Sequence, residues 1–185
     1  MSTTPTPSAP ASAVVMSDHI VTRPGARRAL AALRLLIGFY FLWAFLDKTF
    51  GLSFMTPPDQ AWIRGGQPAQ GFIIAVTGDG PLAGFFSLFA NAAGDVLFML
   101  ALLGIGTTLM LGMGLKVAAL SGTALMFFLW LAEFPPLNVG QATNPIIDTH
   151  WVLAAAMIVI ALTRAGDTWG LGRWWSRIVG DSWLR

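Results

Sequence analysis

ALAALRLLIGFYFLWAFL, residues 29–46, is apolar, glycine or tyrosine at every position except Arg34. Extended to Leu52, the run is long enough as a helix to cross about 30 Å of hydrocarbon. Three further stretches read the same way: 85–111, 117–134 and 145–163. Hydrophobic residues make up 55% of the 185-residue chain and charged residues 11%. Soluble domains carry about 25% charged residues. So few charges cannot coat a water-facing surface, and the apolar excess must face lipid. The expected fold is an all-α integral membrane protein: a four-transmembrane-helix bundle over 23–164, with an outer interfacial loop and a C-terminal amphipathic segment.

The flanking pieces follow from composition. Residues 1–22 are rich in Ser, Thr, Pro and Ala, and read as a disordered cytoplasmic tail. No basic stretch precedes an apolar one there, so a cleaved secretory signal is not expected. The long break from Asp47 to Leu82 holds several turn signals and the aromatics Trp62 and Phe72. It reads as a structured loop docked on the bundle mouth. The second stretch is too long for one untilted span, so one end should project from the membrane. Asn144 as N-cap and Pro145 as first helical residue open the fourth span, with Asp148 in or just after its first turn. In 165–185, Leu171, Trp174, Trp175 and Ile178 share one helical face and Arg173 and Arg177 another, the pattern of a helix lying on a membrane surface.

Orientation follows from the cations. Arg23, Arg27, Arg28, Lys116, Arg164, Arg173, Arg177 and Arg185 fall on one side of these spans, and only Lys48 and Arg64 on the other. The positive-inside rule places both termini in the cytoplasm.

Several classes of chemistry are excluded. The chain has no cysteine, so disulfides, thiolate nucleophiles, iron–sulfur ligation and thioether-linked haem are absent. The two histidines are His19, in the N-terminal tail, and His150. No metal or haem is expected. No dense basic patch suggests nucleic acid, and no phosphate, dinucleotide or metalloprotease motif occurs.

The polar residues within or beside the spans are the functional candidates, because an ionisable group in a bilayer is costly unless paired or used. Arg34 either snorkels to the inner headgroups or forms an internal ion pair. Asp95, one turn from Asn91, is a structural acceptor or a proton-handling group. Lys48, Arg64, Asp148 and His150 gather on the outer side. Asp47 and Glu133 read as solvated rim. Asp148 and His150 are two apart, which places them on different faces of a regular helix.

Three stretches together resemble the DoxX/DoxD family of small membrane proteins: Arg34–Gly38 continuing through Phe41–Phe45 to Lys48; Ala92–Asp95 with the following Leu/Gly-rich span and the Gly114–Lys116 turn; and Asn144–His150 running to Ala165–Gly172. The resemblance covers about residues 27–175. It implies a four-helix bundle in a bacterial cytoplasmic membrane. In some members it implies the large subunit of a thiosulfate:quinone oxidoreductase, with membrane quinone as electron acceptor and a second protein subunit. Other members are membrane partners of soluble redox-defence enzymes. On this reading Asp95, His150 and Asp148 are the candidate catalytic residues, and Lys48, Arg64 and Arg34 the candidate substrate-binding cations. A non-catalytic recruiting partner and a small transporter are the alternatives.

Overall fold

The structure is a computed structural model that describes residues 20–78, 80–134, 144 and 146–185. Among these residues the protein has seven α-helices and no strand: α1 (Pro24–Phe50), α2 (Pro68–Thr77), α3 (Ala83–Phe86), α4 (Ala92–Leu111), α5 (Leu115–Glu133), α6 (Thr149–Leu162) and α7 (Gly172–Val179). Most of the expected tail, Asp79, residues 135–143 and Pro145 lie outside the described residues.

α1 packs along α4, α4 on α5, α5 on α6, and α6 returns to α1, closing a four-helix ring. Neighbours run antiparallel. Gly38 of α1 abuts Leu109 and Met110 of α4, while Leu42, one turn further, abuts Gly106. A Cβ at Gly106 would stand 2.7 Å from the Leu42 backbone nitrogen, so glycine sets this close approach. α5 and α6 pair in the same sense, with Gly122 against Met157 and Trp130 against Trp151. The start of α1 and the end of α6 therefore lie at the same end of the bundle.

The core is apolar, built on Phe41, Met99, Leu109, Met157 and Ile160. The outside is apolar too: Leu36, Phe39, Leu97, Leu100, Leu120 and Val152 are exposed. Surface leucines are ordinary one by one, but a belt of them on every long helix is not. Three helices, α1, α4 and α5, are long and apolar enough to cross a membrane.

The expected fourth span is shorter than its sequence suggested. α6 has 14 residues, a rise of about 21 Å. Its N-cap is Asp148, not Asn144. The Asn144 side chain instead accepts from the nitrogens of Ile146 and Ile147, a local turn before the helix. The second stretch also differs, because it does not project as one long helix. It breaks after α3 and a 3-10 turn at Ser87–Phe89, and restarts at α4 with Asn91 as N-cap accepting from the Gly94 nitrogen. Phe85, Phe86 and Phe89 pack with Phe128 beside that break.

One interaction ties the bundle at the α1 start. Arg34 is fully buried. Its Nη1 donates to the carbonyls of Leu109 and Met110, and its Nη2 donates to that of Trp169 at 2.8 Å and, more weakly, of Thr168 at 3.4 Å. The last four carbonyls of α4 are thus all satisfied. Thr108 takes the Gly112 nitrogen, Leu109 and Met110 take Arg34, and Leu111 takes the Leu171 nitrogen. Neither snorkelling nor an ion pair describes this residue: no carboxylate among the described residues is within ion-pair distance of it. Its positive charge sits at the negative end of the α4 dipole. Gly112, at φ 75°, turns the chain beside the guanidinium, where a Cβ would lie 3.1 Å from Nη1.

After α6 the chain folds back under this knot. Arg27 donates to the Thr168 hydroxyl, and Arg185 joins Asp181 at 2.5 Å and Asp167 at 3.5 Å. α7 exposes Trp174 and Ile178.

Replacing Arg34 with Leu strands buried carbonyls, each costing about 1–3 kcal/mol. The variant should melt about 10 °C lower in detergent. Arg34→Lys should recover little, because an ammonium lacks the planar fork that reaches four carbonyls. Thermal unfolding followed by circular dichroism measures both.

Candidate functional site

The six candidate residues do not form one cavity. Arg34 and Lys48 lie on the same continuous helix, fourteen residues and about 21 Å apart. Arg34, buried among backbone carbonyls, is remote from the end where Lys48, Arg64, Asp95 and His150 lie.

Asp95 is spoken for by a neighbouring helix. It is buried in the first turn of α4 and accepts from the Ala69 nitrogen at 2.7 Å, the Gln70 nitrogen at 3.1 Å and Gln70 Nε2 at 2.5 Å. α2 begins with Pro68, which has no N–H, and Gln67 supplies no side-chain cap. Asp95 is therefore the N-cap of α2, delivered from another helix, and it fastens the loop to the bundle. This is the structural reading of Asp95.

Asp47 is buried, which corrects its reading as solvated rim. α1 ends at Gly51, in the left-handed conformation at φ 65°, and the chain turns back. The turn brings the nitrogens of Phe54 and Met55 onto the Asp47 carboxylate at 3.3 and 3.1 Å. Next to it, Lys48 is half-buried, its Nζ 5.9 Å from the centre of the Phe98 ring. Arg64 is exposed on the 3-10 turn Trp62–Arg64 that packs on α1.

The second group lies where α5 ends and α6 begins. Asp148 Oδ1 accepts from the His150 nitrogen at 3.0 Å, and its Oδ2 is 2.8 Å from His150 Nδ1. The expectation that the two side chains point apart assumed helical geometry at both. Asp148 is the N-cap, with extended φ and ψ of −129° and −166°, so its carboxylate folds over the first turn and meets the imidazole. The carboxylate fixes which imidazole nitrogen is engaged, and Nε2 has no hydrogen-bond partner among the described residues.

Glu133, read from the sequence as rim, lies beside this pair on its exposed side. It is the last residue of α5, and the antiparallel α5–α6 pair sets it opposite the start of α6. Ligating atoms of Glu133, Asp148 and His150 all lie within 4.8 Å of one another. The hairpin itself was the available signal: the end of one helix and the start of the next must meet across it. Each of the three offers one ligand atom to the same small volume. An aromatic wall stands beside them. Trp130 packs on Trp151 at 5.2 Å and on Phe134 at 5.1 Å, and its Nε1 donates to the Ile146 carbonyl, strapping the α6 entry to α5.

If Asp95 is a cap, its loss loosens the loop before it touches any chemistry. Asp95→Ala should cost about 1–2 kcal/mol. Limited proteolysis should then cut within residues 52–82 well before the bundle, while wild-type protein resists at that position.

Comparison with protein-family models, with curated proteins and with solved structures returned no match, so the likeness to the DoxX/DoxD family rests on the sequence motifs.

Proposed function

We propose that the protein is a membrane subunit of a quinone-linked oxidoreductase, a bundle whose four ring helices all lie in the bilayer of a bacterial cytoplasmic membrane with both termini cytoplasmic. Exposed Ile146 and Ile147 extend the apolar surface of α6 towards the length a crossing needs. The observation that carries the catalytic reading is the hydrogen-bonded Asp148–His150 pair beside the Trp130–Trp151 wall. A flat, apolar quinone ring stacks on aromatic side chains, and its oxygens need a group that both donates and accepts protons. An imidazole held by a carboxylate is such a group.

Thiosulfate is the donor that the resemblance suggests. Two thiosulfate dianions lose two electrons as a sulfur–sulfur bond forms between them, and a quinone takes up two electrons and two protons. Lys48 and exposed Arg64 offer positive charge at the same end of the bundle as His150. Asp95, already holding three donors, serves this scheme by positioning the loop. A second subunit completes the enzyme.

A second reading is a non-catalytic membrane partner that recruits a soluble redox enzyme. It is favoured by the other end, where exposed Trp174, Ile178 and Trp183 stand beside exposed Arg173 and Arg177.

Full-length protein, combined with its co-encoded partners, thiosulfate and a soluble quinone, should reduce the quinone. His150→Ala should lower that rate about 10²- to 10⁴-fold. Absence of quinone reduction by the wild-type assembly would remove the catalytic reading. Topology is testable separately, because the chain has no cysteine of its own. A cysteine at Ser182 should react with impermeant maleimide only from the cytoplasmic side, and one at Gln60 only from the opposite side.

A further inference from the structure

We propose that Glu133, Asp148 and His150 bind one divalent transition-metal ion of the zinc class at the junction of α5 and α6. Their ligating atoms, one from each residue, already lie within 4.8 Å of one another. Around a zinc ion with bonds of about 2.0–2.2 Å, tetrahedral ligand atoms stand roughly 3.4 Å apart. Asp148 Oδ2 and His150 Nδ1, now hydrogen-bonded at 2.8 Å, must part by about half an ångström to reach that spacing. An ion that replaces the proton between them completes a chelate with a small opening of the pair. Glu133 closes in as third ligand through rotation of its side chain, and water fills the remaining position.

Charge balance points the same way by a separate route. Two carboxylates share this site, and among the described residues no lysine or arginine lies within ion-pair distance of either one. Among the described residues the His150 imidazole and the His150 backbone nitrogen face Asp148. Asp181 and Asp167, by contrast, are paired with arginines.

The donor set selects the metal. One imidazole with two carboxylates suits zinc, iron or manganese, whereas calcium and magnesium prefer oxygen-only cages with more ligands. The inference does not rest on the quinone reading and competes with the proton-handling role of His150 there, since an imidazole with an ion on Nδ1 has no lone pair left to take a proton; binding is measured with neither thiosulfate nor quinone present.

The test titrates the detergent-purified full chain with Zn2+ against a chromophoric chelator. One ion should bind per chain, and a large excess of Ca2+ or Mg2+ should not displace it. His150→Ala and the near-isosteric Glu133→Gln should each weaken binding at least about tenfold, with metal-free melting temperatures unchanged for Glu133→Gln. His19→Ala should bind as wild type does, and Zn2+ should raise the melting temperature of wild type but not of Glu133→Gln. Binding that survives both site variants, or that disappears with His19→Ala, overturns the proposal, as does a wild-type chain that takes up no zinc.

Discussion

Satisfying the ends of helices is the constraint on which the rest of this bundle depends. Each helix leaves four carbonyls free at its C-terminus and four N–H groups at its N-terminus. At a water-facing end solvent absorbs them, but inside an apolar assembly other groups must. Arg34 does so for α4 and the turn after α6, drawing three chain segments to one guanidinium. Asp95 does the complementary task at the other end, where α4 lends its carboxylate to the start of α2. Both are charged residues of one helix spent on the polar end of another. Their isolation in the sequence reflects this: their partners are backbone atoms, which any residue can supply.

That also explains what could be read in advance. The all-helical nature, the long apolar helices α1 and α5 and the position of most basic residues at one end all follow from apolar runs and charge counts, which are local properties. The acceptors of Arg34 could not be found that way, since Leu109 and Thr168 are brought to it only by tertiary register. The break before α4 had its mark in Asn91, a good N-cap, but the phenylalanines on either side hid it within one apolar run. At the fourth helix two plausible caps competed. Asn144 with the following Pro145 looked stronger, yet Asp148 caps the helix and Asn144 makes a separate turn.

The same distinction governs the candidate site. Asp148 and His150 were visible as residues, but their contact depends on one being outside the helix and the other inside it. Glu133 was invisible as a participant, because its relevance comes from the antiparallel return of the chain. The polar groups at that end of the bundle fall into two clusters. One is built around Lys48, Asp47 and Phe98 at the close of α1, and the other around Glu133, Asp148 and His150 at the α5–α6 junction.

The Arg34 knot has a consequence for biosynthesis. A chain emerging from the ribosome delivers α1 to the membrane well before α4 and the 165–171 segment exist. Until they arrive, an arginine set within an apolar helix costs up to about 2.5–3.5 kcal/mol of insertion free energy. α1 should therefore linger beside the insertion machinery, and settle fully only once the later carbonyls are made.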